Sequence, residues 1–248
     1  MFKFLIQNFI SLLFPSFIKV FLLNFIGHSI DKSVKIGPVV LGRLVKLNLA
    51  KDSSIGAFNV FMCHGVNLKE GAFIRRINRF QGAFDILLNE KSAIGNFNSF
   101  VNGGAKLIIG NPIFSLGKYS NLTSRHYFDL TDSIVIGSNT VIGGLSSQFW
   151  THGFQHFNKG QVRLRVDGAI TIGDGVYIGS RVIFNPNVNV CDEAALGAGA
   201  VISKNLLKPG LYVSPALRYF ETSETDFFDK YSKEVLFNTD ILVYKKKI

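Results

Sequence analysis

The chain has 248 residues, 24 of them Phe, and its 27 Lys and Arg against 17 Asp and Glu give a net charge of +10 at pH 7. That length is ample for one sizeable core. The basic balance favours a phosphate-bearing partner or an anionic membrane, but no nucleic-acid motif is present and we expect no nucleic-acid partner. Cys63 and Cys191 are the only cysteines, which excludes a disulfide framework.

Residues 1–28 form an apolar segment that we predict to be helical. Lys3 and Lys19 are its only charged side chains, and Pro15 divides it into two short helices, the second of which ends at Gly27. Neither half reaches the roughly 20 apolar residues that a membrane-spanning helix needs. Two interpretations stay open: a cap on the fold or on a neighbouring subunit, and peripheral membrane association through residues 1–27.

A six-residue repeat dominates the next part of the chain and is most regular between residues 170 and 203. No helix has this period, and a short fixed period indicates a solenoid of stacked coils. Three six-residue faces make a triangular coil of about 18 residues. The two apolar series are Ile172, Ile178, Phe184, Val190, Leu196 and Ile202, and, two positions earlier, Ile170, Val176, Val182, Val188, Ala194 and Ala200.

The repeat is looser upstream, where Ile-Gly steps at Ile36, Ile55 and Ile94 fall one or two long coils apart. We therefore expect bulges or insertions in the early coils. The pattern predicts an all-β fold, a parallel β-helix over residues 29–205, with an excursion loop near 148–168.

Chemistry is expected where the repeat lapses, between residues 124 and 170. Three of the five His residues, His126, His152 and His156, lie in this stretch. A loop that leaves a rigid solenoid is where binding residues usually lie. Beyond it, residues 206–248 are predicted to form a C-terminal cap with a short helix and a basic tail, because the open end of a solenoid needs covering. The helical positions are Asp226, Phe227, Phe228, Tyr231, Val235 and Leu236.

Three runs resemble the hexapeptide-repeat acyltransferases. Residues 170–190 (ITIGDGVYIGSRVIFNPNVNV), 196–205 (LGAGAVISKN) and 214–218 (SPALR) resemble the C-terminal coils of that family, and 151–154 (THGF) resembles the segment with its general-base histidine. The apolar N-terminal helices resemble those of sugar O-acetyltransferases from bacterial surface-polysaccharide clusters. The resemblance implies a left-handed β-helix, whereas the general rule for parallel crossovers favours the other hand.

The resemblance also implies an activity: acetyl-CoA-dependent O-acetyl transfer to a sugar hydroxyl of a surface polysaccharide or its precursor. The family forms homotrimers with active sites between adjacent subunits, and transfers the acetyl group without a covalent enzyme intermediate. A cytoplasmic location follows, at the inner face of the cytoplasmic membrane if residues 1–27 act as an anchor.

Site residues are carried over from the same family. His152, in the THGF segment, is the expected general base, a task that a neutral imidazole suits. His126 is expected to line the same groove as an acceptor-binding residue, or to be the base itself. Trp150 and Tyr177 complete the substrate-binding set, Tyr177 beside the pantetheine arm.

The acetyl-CoA side of the predicted site contains small and basic residues. Ser180 and Ala198 match turn positions where pantetheine approaches the backbone, although coil geometry alone also favours small residues there. Ser203 and Lys204 match the pair near the CoA phosphates, and Arg218 matches the basic residue near the nucleotide.

Two other hypotheses stay open. A metal site of the γ-carbonic-anhydrase kind shares the fold and needs three His ligands. However, His126 and His152 lie 26 residues apart, which is not a whole number of coils, and we expect no metal. A non-catalytic trimeric scaffold would have the same repeat and would bind no CoA.

Overall fold

Short parallel strands stack into a triangular solenoid in the computed structural model, which describes residues 2–103, 105–156, 163–215, 231–234 and 243–246. The chain divides into two units, residues 1–214 and 215–248. The helices are α1 (Phe2–Leu13) and α2 (Ser16–Phe25), and a 3₁₀ turn spans Ala105–Leu107.

The strands of the first unit are, in chain order, β1 (Ser29–Ile30), β2 (Lys35–Ile36), β3 (Val40–Leu41), β4 (Lys46–Leu49), β5 (Ser54–Ile55), β6 (Val60–Met62), β7 (Gly65–Leu68), β8 (Phe73–Ile74), β9 (Arg79–Gln81), β10 (Asp85–Leu88), β11 (Ala93–Ile94), β12 (Ser99–Val101), β13 (Ile113–Leu116), β14 (Asn121–Ser124), β15 (Tyr127–Asp129), β16 (Ile134–Ile136), β17 (Val141–Leu145), β18 (Gln148–Phe149), β19 (His152–His156), β20 (Arg163–Asp167), β21 (Ile170–Ile172), β22 (Tyr177–Ile178), β23 (Ile183–Phe184), β24 (Val188–Val190), β25 (Ala194–Leu196), β26 (Val201–Ile202) and β27 (Gly210–Tyr212).

Three parallel sheets form the faces of the solenoid. The first sheet has the order β1-β4-β7-β10-β13-β16-β21-β24, the second β2-β5-β8-β11-β14-β17-β22-β25-β27, and the third β3-β6-β9-β12-β15-β18-β23-β26. Ile172 pairs with Val190, one 18-residue coil later, whereas Leu68 pairs with Leu88 across a longer coil. The predicted parallel β-helix is confirmed, with longer early coils, and it is consistent with the left-handed form.

A column of phenylalanine rings fills the inside of the third sheet. Successive ring centroids lie 4.5 to 4.8 Å apart and nearly parallel, and every ring is fully buried. That spacing is close to the distance between hydrogen-bonded strands, so each coil contributes one ring to the stack. The column contains Phe61, Phe80, Phe100, Phe128, Phe149 and Phe184.

Buried asparagines form a ladder at the corner that leads into the third sheet. The backbone N–H of Asn78 donates to Oδ1 of Asn59 at 2.8 Å, and that of Asn98 donates to Oδ1 of Asn78 at 2.8 Å. The side-chain amide of Asn78 also donates to the carbonyl of Gly95 at 2.8 Å. The ladder thus satisfies backbone groups that the turn would otherwise leave unpaired.

The two N-terminal helices cap the first coil with their polar side chains. Ser11 Oγ donates to the carbonyl of Val39 at 2.7 Å, and Lys19 Nζ donates to that of Gly37 at 2.7 Å. Asn24 exchanges two hydrogen bonds with the backbone of Ile30, at 2.7 and 2.8 Å. The free edge of a sheet presents unpaired N–H and C=O groups, and these side chains satisfy them.

The second unit contains β28 (Tyr231–Glu234) and β29 (Val243–Lys246), which pair antiparallel. The predicted C-terminal helix is therefore wrong at Tyr231–Glu234, and its remaining positions lie outside the described residues. Lys245 and Lys246 of the predicted basic tail belong to β29. Aromatic and β-branched residues such as Tyr231, Val243 and Tyr244 favour an extended backbone, and this preference explains the strands found in place of a helix.

Candidate active site

A β-hairpin leaves the solenoid between the third sheet of one coil and the first sheet of the next. Its strands β19 and β20 pair antiparallel, from His152 opposite Asp167 to His156 opposite Arg163. Near its base, Arg165 donates from Nη2 to Asp167 Oδ2 at 2.7 Å. Residues 157–162 and the side chain of His156 lie outside the description.

His152 stands at the base of this hairpin against a buried carboxylate. Its Nδ1 lies 2.7 Å from Oδ2 of Asp129, the last residue of β15. The Asp129 side chain is 3% exposed, and that of His152 is 28% exposed. A carboxylate bound to Nδ1 fixes the ring orientation and places the proton on that nitrogen. Nε2 is then the nitrogen that can accept a proton.

The Asp129 carboxylate is held by further hydrogen bonds. Oδ2 accepts from the backbone N–H of Thr151 at 2.9 Å and from that of His152 at 3.1 Å. Oδ1 accepts from the Thr131 hydroxyl at 2.8 Å, and that hydroxyl also lies 3.1 Å from Nδ1 of His152. These donors satisfy the buried carboxylate oxygens and hold the side chain in one position beside the imidazole.

Aromatic side chains flank the imidazole. The Trp150 ring lies 4.9 Å from the Tyr127 ring, and its Nε1 donates to Gln148 Oε1 at 3.0 Å. The Phe154 ring lies 5.7 Å from the His152 ring, nearly perpendicular to it. Burial raises the pKa of Tyr127, and the charge of Asp129 adds to that rise. The Trp150 and His152 ring centroids lie 6.5 Å apart, so these are predicted site residues that the structure brings together.

His126 has a different environment from the one the sequence predicted. It is 1% exposed and continues the asparagine ladder, with its backbone N–H donating to Asn98 Oδ1 at 2.9 Å. Nδ1 accepts from the Ser147 N–H at 3.1 Å, and Nε2 lies 3.0 Å from the Thr123 hydroxyl. Burial lowers the pKa of His126 to about 4. With both ring nitrogens engaged inside the solenoid, His126 is a corner residue, and the expectation that it contacts the acceptor is corrected.

The same two hydrogen bonds bear on the metal hypothesis. A three-His zinc site needs a free nitrogen lone pair on each imidazole, and His126 has none to offer. Within the described ranges, no group of three His, Cys, Asp or Glu side chains is placed to hold a metal ion.

Two residues predicted for the acetyl-CoA side, Ser180 and Ala198, lie at the edge between the second and third sheets, whereas Ser203 and Lys204 follow β26 at the other end of the third sheet. Tyr177 on β22 is 53% exposed, and Ala198, Ser203 and Lys204 are also exposed. Ser180 Oγ accepts from the Leu145 N–H at 3.2 Å, so this hydroxyl also has a role in the coil. Arg218 lies outside the described residues.

The third sheet separates Ser180 and Ala198 from His152 within one chain, whereas Ser203 and Lys204 follow Ile202, which pairs with Phe184, and so lie on the His152 side. Ser180 precedes β23 and Phe184 ends it, and the Phe184 carbonyl accepts from the Trp150 N–H at 3.0 Å on the His152 side. Four residues at about 3.3 Å each place roughly 13 Å between the two edges. A single chain therefore presents Ser180 and Ala198 at one edge and His152 at another.

Asp129, Thr131 and Tyr127 were absent from the sequence prediction. The usable signal was the register of the phenylalanine column, because Phe128 pairs with Phe149. In the same register, Asp129 lies beside Trp150, the residue that precedes the THGF segment.

The relatives found by comparison with known proteins include an acetyltransferase. Over 120 residues the chain is 30% identical to the galactoside O-acetyltransferase of Escherichia coli strain K12. The match spans 43% of this chain and 56% of that relative, so it covers little more than half of the relative's length. No protein-family model matches the chain. This match and the parallel β-helix fit the hexapeptide-repeat acetyltransferases that the sequence resembles.

The similarity to solved structures is weaker. A mutant of AntD, an N-acyltransferase from Bacillus cereus in complex with dTDP and coenzyme A, is 16% identical, covers 87% of this chain and 95% of its own, and has a TM-score of 0.42. The polySia-specific acetyltransferase NeuO is 12% identical, covers 71% and 89%, and has a TM-score of 0.34. Likenesses at these TM-scores carry no conclusion about the site.

Proposed function

We propose that this chain is an O-acetyltransferase that moves the acetyl group of acetyl-CoA to a sugar hydroxyl, with His152 as the general base. The supporting observation is the pair of His152 and Asp129. The carboxylate is buried and held, the ring is oriented by a 2.7 Å contact, and the imidazole still reaches solvent at the base of the hairpin. A base held in this way has one free nitrogen and one orientation.

The proton transfers follow from this arrangement. With its Nδ1 proton donated to Asp129, His152 accepts the acceptor's hydroxyl proton at Nε2 as the oxygen attacks the thioester carbonyl. Asp129 stabilises the imidazolium that forms. The new C–O bond forms as the C–S bond breaks, and Nε2 returns its proton to the departing thiolate. The transfer is direct and requires no covalent enzyme intermediate.

The aromatic residues beside His152 suit a sugar acceptor. Trp150, Tyr127 and Phe154 present ring faces, and the first two also have polar tips, a combination that can contact the C–H face and the hydroxyl groups of a sugar ring. The galactoside named for the Escherichia coli relative supports a sugar as the acceptor class. The resemblance to sugar O-acetyltransferases of surface-polysaccharide clusters supports a surface polysaccharide or its precursor as the acceptor. The acetyl transfer would then take place in the cytoplasm.

Acetyl-CoA would lie along the edge with Ser180 and Ala198, beside Tyr177, and its phosphates would reach Lys204 at the other end of the third sheet. Because this edge and His152 lie on different sides of the third sheet, we infer that adjacent copies complete the site, as in a homotrimer. The thioester held by one copy would then meet His152 of the next.

A two-part experiment tests the proposal. Calorimetry measures CoA binding, and mass spectrometry detects acetylation after incubation with acetyl-CoA and a panel of nucleotide-linked and lipid-linked sugars. We expect CoA binding and a mass increase of one acetyl group on at least one sugar. A protein that binds no CoA and acetylates no sugar would instead be a non-catalytic scaffold.

A further inference from the structure

The outer face of the two N-terminal helices carries an unusual concentration of exposed apolar side chains. We propose that this face, called here the apolar plate, docks on an anionic membrane surface. The plate consists of Leu5, Phe9, Leu12, Leu13, Phe17, Phe21 and Phe25, with exposures from 46% to 84%.

The plate exists because the helices turn their polar residues inward. Gln7 and Ser11 are fully buried, and Lys19 is 2% exposed; all three donate to backbone carbonyls of the first coil. An ordinary surface helix buries its apolar stripe and exposes its polar residues. Here the inward side of the helices combines these polar residues with buried Ile10, Val20 and Leu23, and the outward side is apolar instead of polar.

Spacing aligns the exposed rings on α2. Phe17, Phe21 and Phe25 follow at intervals of four residues and are 74%, 70% and 84% exposed. Residues four apart lie on the same side of a helix, so the three rings form one row. Such a row is suited to insertion into the boundary between headgroups and acyl chains.

The positive charge of the N-terminal residues favours an anionic lipid. Residues 1–51 contain seven basic side chains and one acidic one, Asp31, and of the basic residues all except Lys19 are exposed. Anionic headgroups attract basic residues beside an apolar face. A second copy in face-to-face contact would instead bring the basic residues of two copies towards each other. The basic residues are Lys3, Lys19, Lys32, Lys35, Arg43, Lys46 and Lys51.

The two helices would lie in the plane of the membrane surface and would not cross the bilayer. In the described part of the chain, no helix is both long enough and apolar enough to cross a bilayer. The α1 and α2 helices have 12 and 10 residues. This inference is independent of acetyl transfer, although docking would bring the active site to acceptors held at a membrane.

Flotation of the full chain with vesicles tests the proposal. Wild-type protein should float with equimolar phosphatidylglycerol–phosphatidylcholine vesicles and much less with phosphatidylcholine alone. The triple variant Phe17→Ser, Phe21→Ser, Phe25→Ser should lose more than about tenfold in vesicle partitioning, because it removes the inserted rings. The matched control Leu207→Ser, Leu211→Ser, Val213→Ser changes exposed apolar residues near the last coil and should partition as wild type does.

Two further measurements make each outcome informative. Raising the salt concentration should weaken the partitioning of the wild-type protein, since its exposed basic residues contribute electrostatically. This measurement needs no variant. Light scattering without lipid measures the assembly size of the triple variant. Membrane docking would be overturned if wild-type protein did not bind anionic vesicles, or if both triple variants lost partitioning equally. It would also be overturned if the helix variant alone formed a smaller assembly, because the plate would then be covered by a second copy of the chain.

Discussion

Nδ1 of His152 lies 2.7 Å from Oδ2 of Asp129, and this carboxylate is buried beneath the hairpin base. A second such pair exists, in which Nδ1 of His64 lies 2.9 Å from Oδ1 of Asp85. There the side chains are 62% and 42% exposed, so water competes for both partners. Burial of the carboxylate therefore distinguishes the His152 pair as a base held in one orientation.

Replacing the buried carboxylate tests the role of Asp129 in positioning. In Asp129→Asn the side-chain amide can donate to Nδ1, which would move the ring proton to Nε2 and remove the acceptor lone pair. We expect kcat for acetyl transfer to fall about 10²–10⁴-fold, with little change in KM for acetyl-CoA. Steady-state kinetics measures both constants. Retention of near wild-type kcat in a folded variant would show that Asp129 does not set the tautomer.

The buried histidines predict loss of stability in acid. Burial lowers the pKa of His126 to about 4, and burial followed by the charge of Lys3 lowers that of His28 to about 4. The unfolded chain binds these protons near pH 6.5, before the folded chain does. The stabilisation is therefore fully present above pH 6.5 and is lost as pH falls towards 4, by about 3 kcal/mol per histidine.

His126→Asn tests this account with little structural change. Asn would continue the ladder of Asn59, Asn78 and Asn98, with its Oδ1 in place of Nδ1 as acceptor for the Ser147 N–H. Urea unfolding between pH 7 and pH 4 should show a loss in free energy of unfolding that is about 3 kcal/mol smaller than in the wild type. An unchanged pH dependence would mean that His126 does not titrate as its burial requires.

The phenylalanine column should supply a large share of the stability. Phe100 stacks on Phe80 at 4.7 Å and on Phe128 at 4.6 Å, and packs edge-on against Phe114. Phe100→Ala should lower the free energy of unfolding by about 3–5 kcal/mol, because the neighbouring coils cannot close the cavity. Chemical denaturation measures the change. A loss below about 1 kcal/mol would indicate that the column relaxes around the gap.

Complementation tests whether two copies share one site. His152→Ala removes the base, and Ala198→Trp blocks the opposite edge, so each variant alone should be inactive. Equal co-expression should restore about a quarter of wild-type activity per protein, since random assembly joins one intact edge to one intact histidine in about one site in four. If both residues served a site within one chain, mixing would restore nothing.

The sequence predicted the architecture well because the repeat is physically periodic. Because every coil must place apolar residues inward, the apolar repeat between Ile170 and Ile202 is enough by itself to indicate the solenoid. The site was harder to predict, because coils of unequal length hide which residues become neighbours. Asp129 and His152 meet across a coil boundary, and His126 occupies an asparagine position that only the register identifies. The C-terminal strands were missed because short amphipathic runs leave helix and strand ambiguous.

The central claim is that His152 is the general base, and the most direct test is the turnover of three histidine variants on one acetylated sugar. His152→Ala should lower kcat at least about 10²–10⁴-fold while CoA binding remains. His64→Ala removes the exposed pair and should turn over as wild type does, and folded His126→Asn should do the same. Near-normal turnover in His152→Ala, or a comparable loss in His126→Asn with its stability intact, would contradict the account.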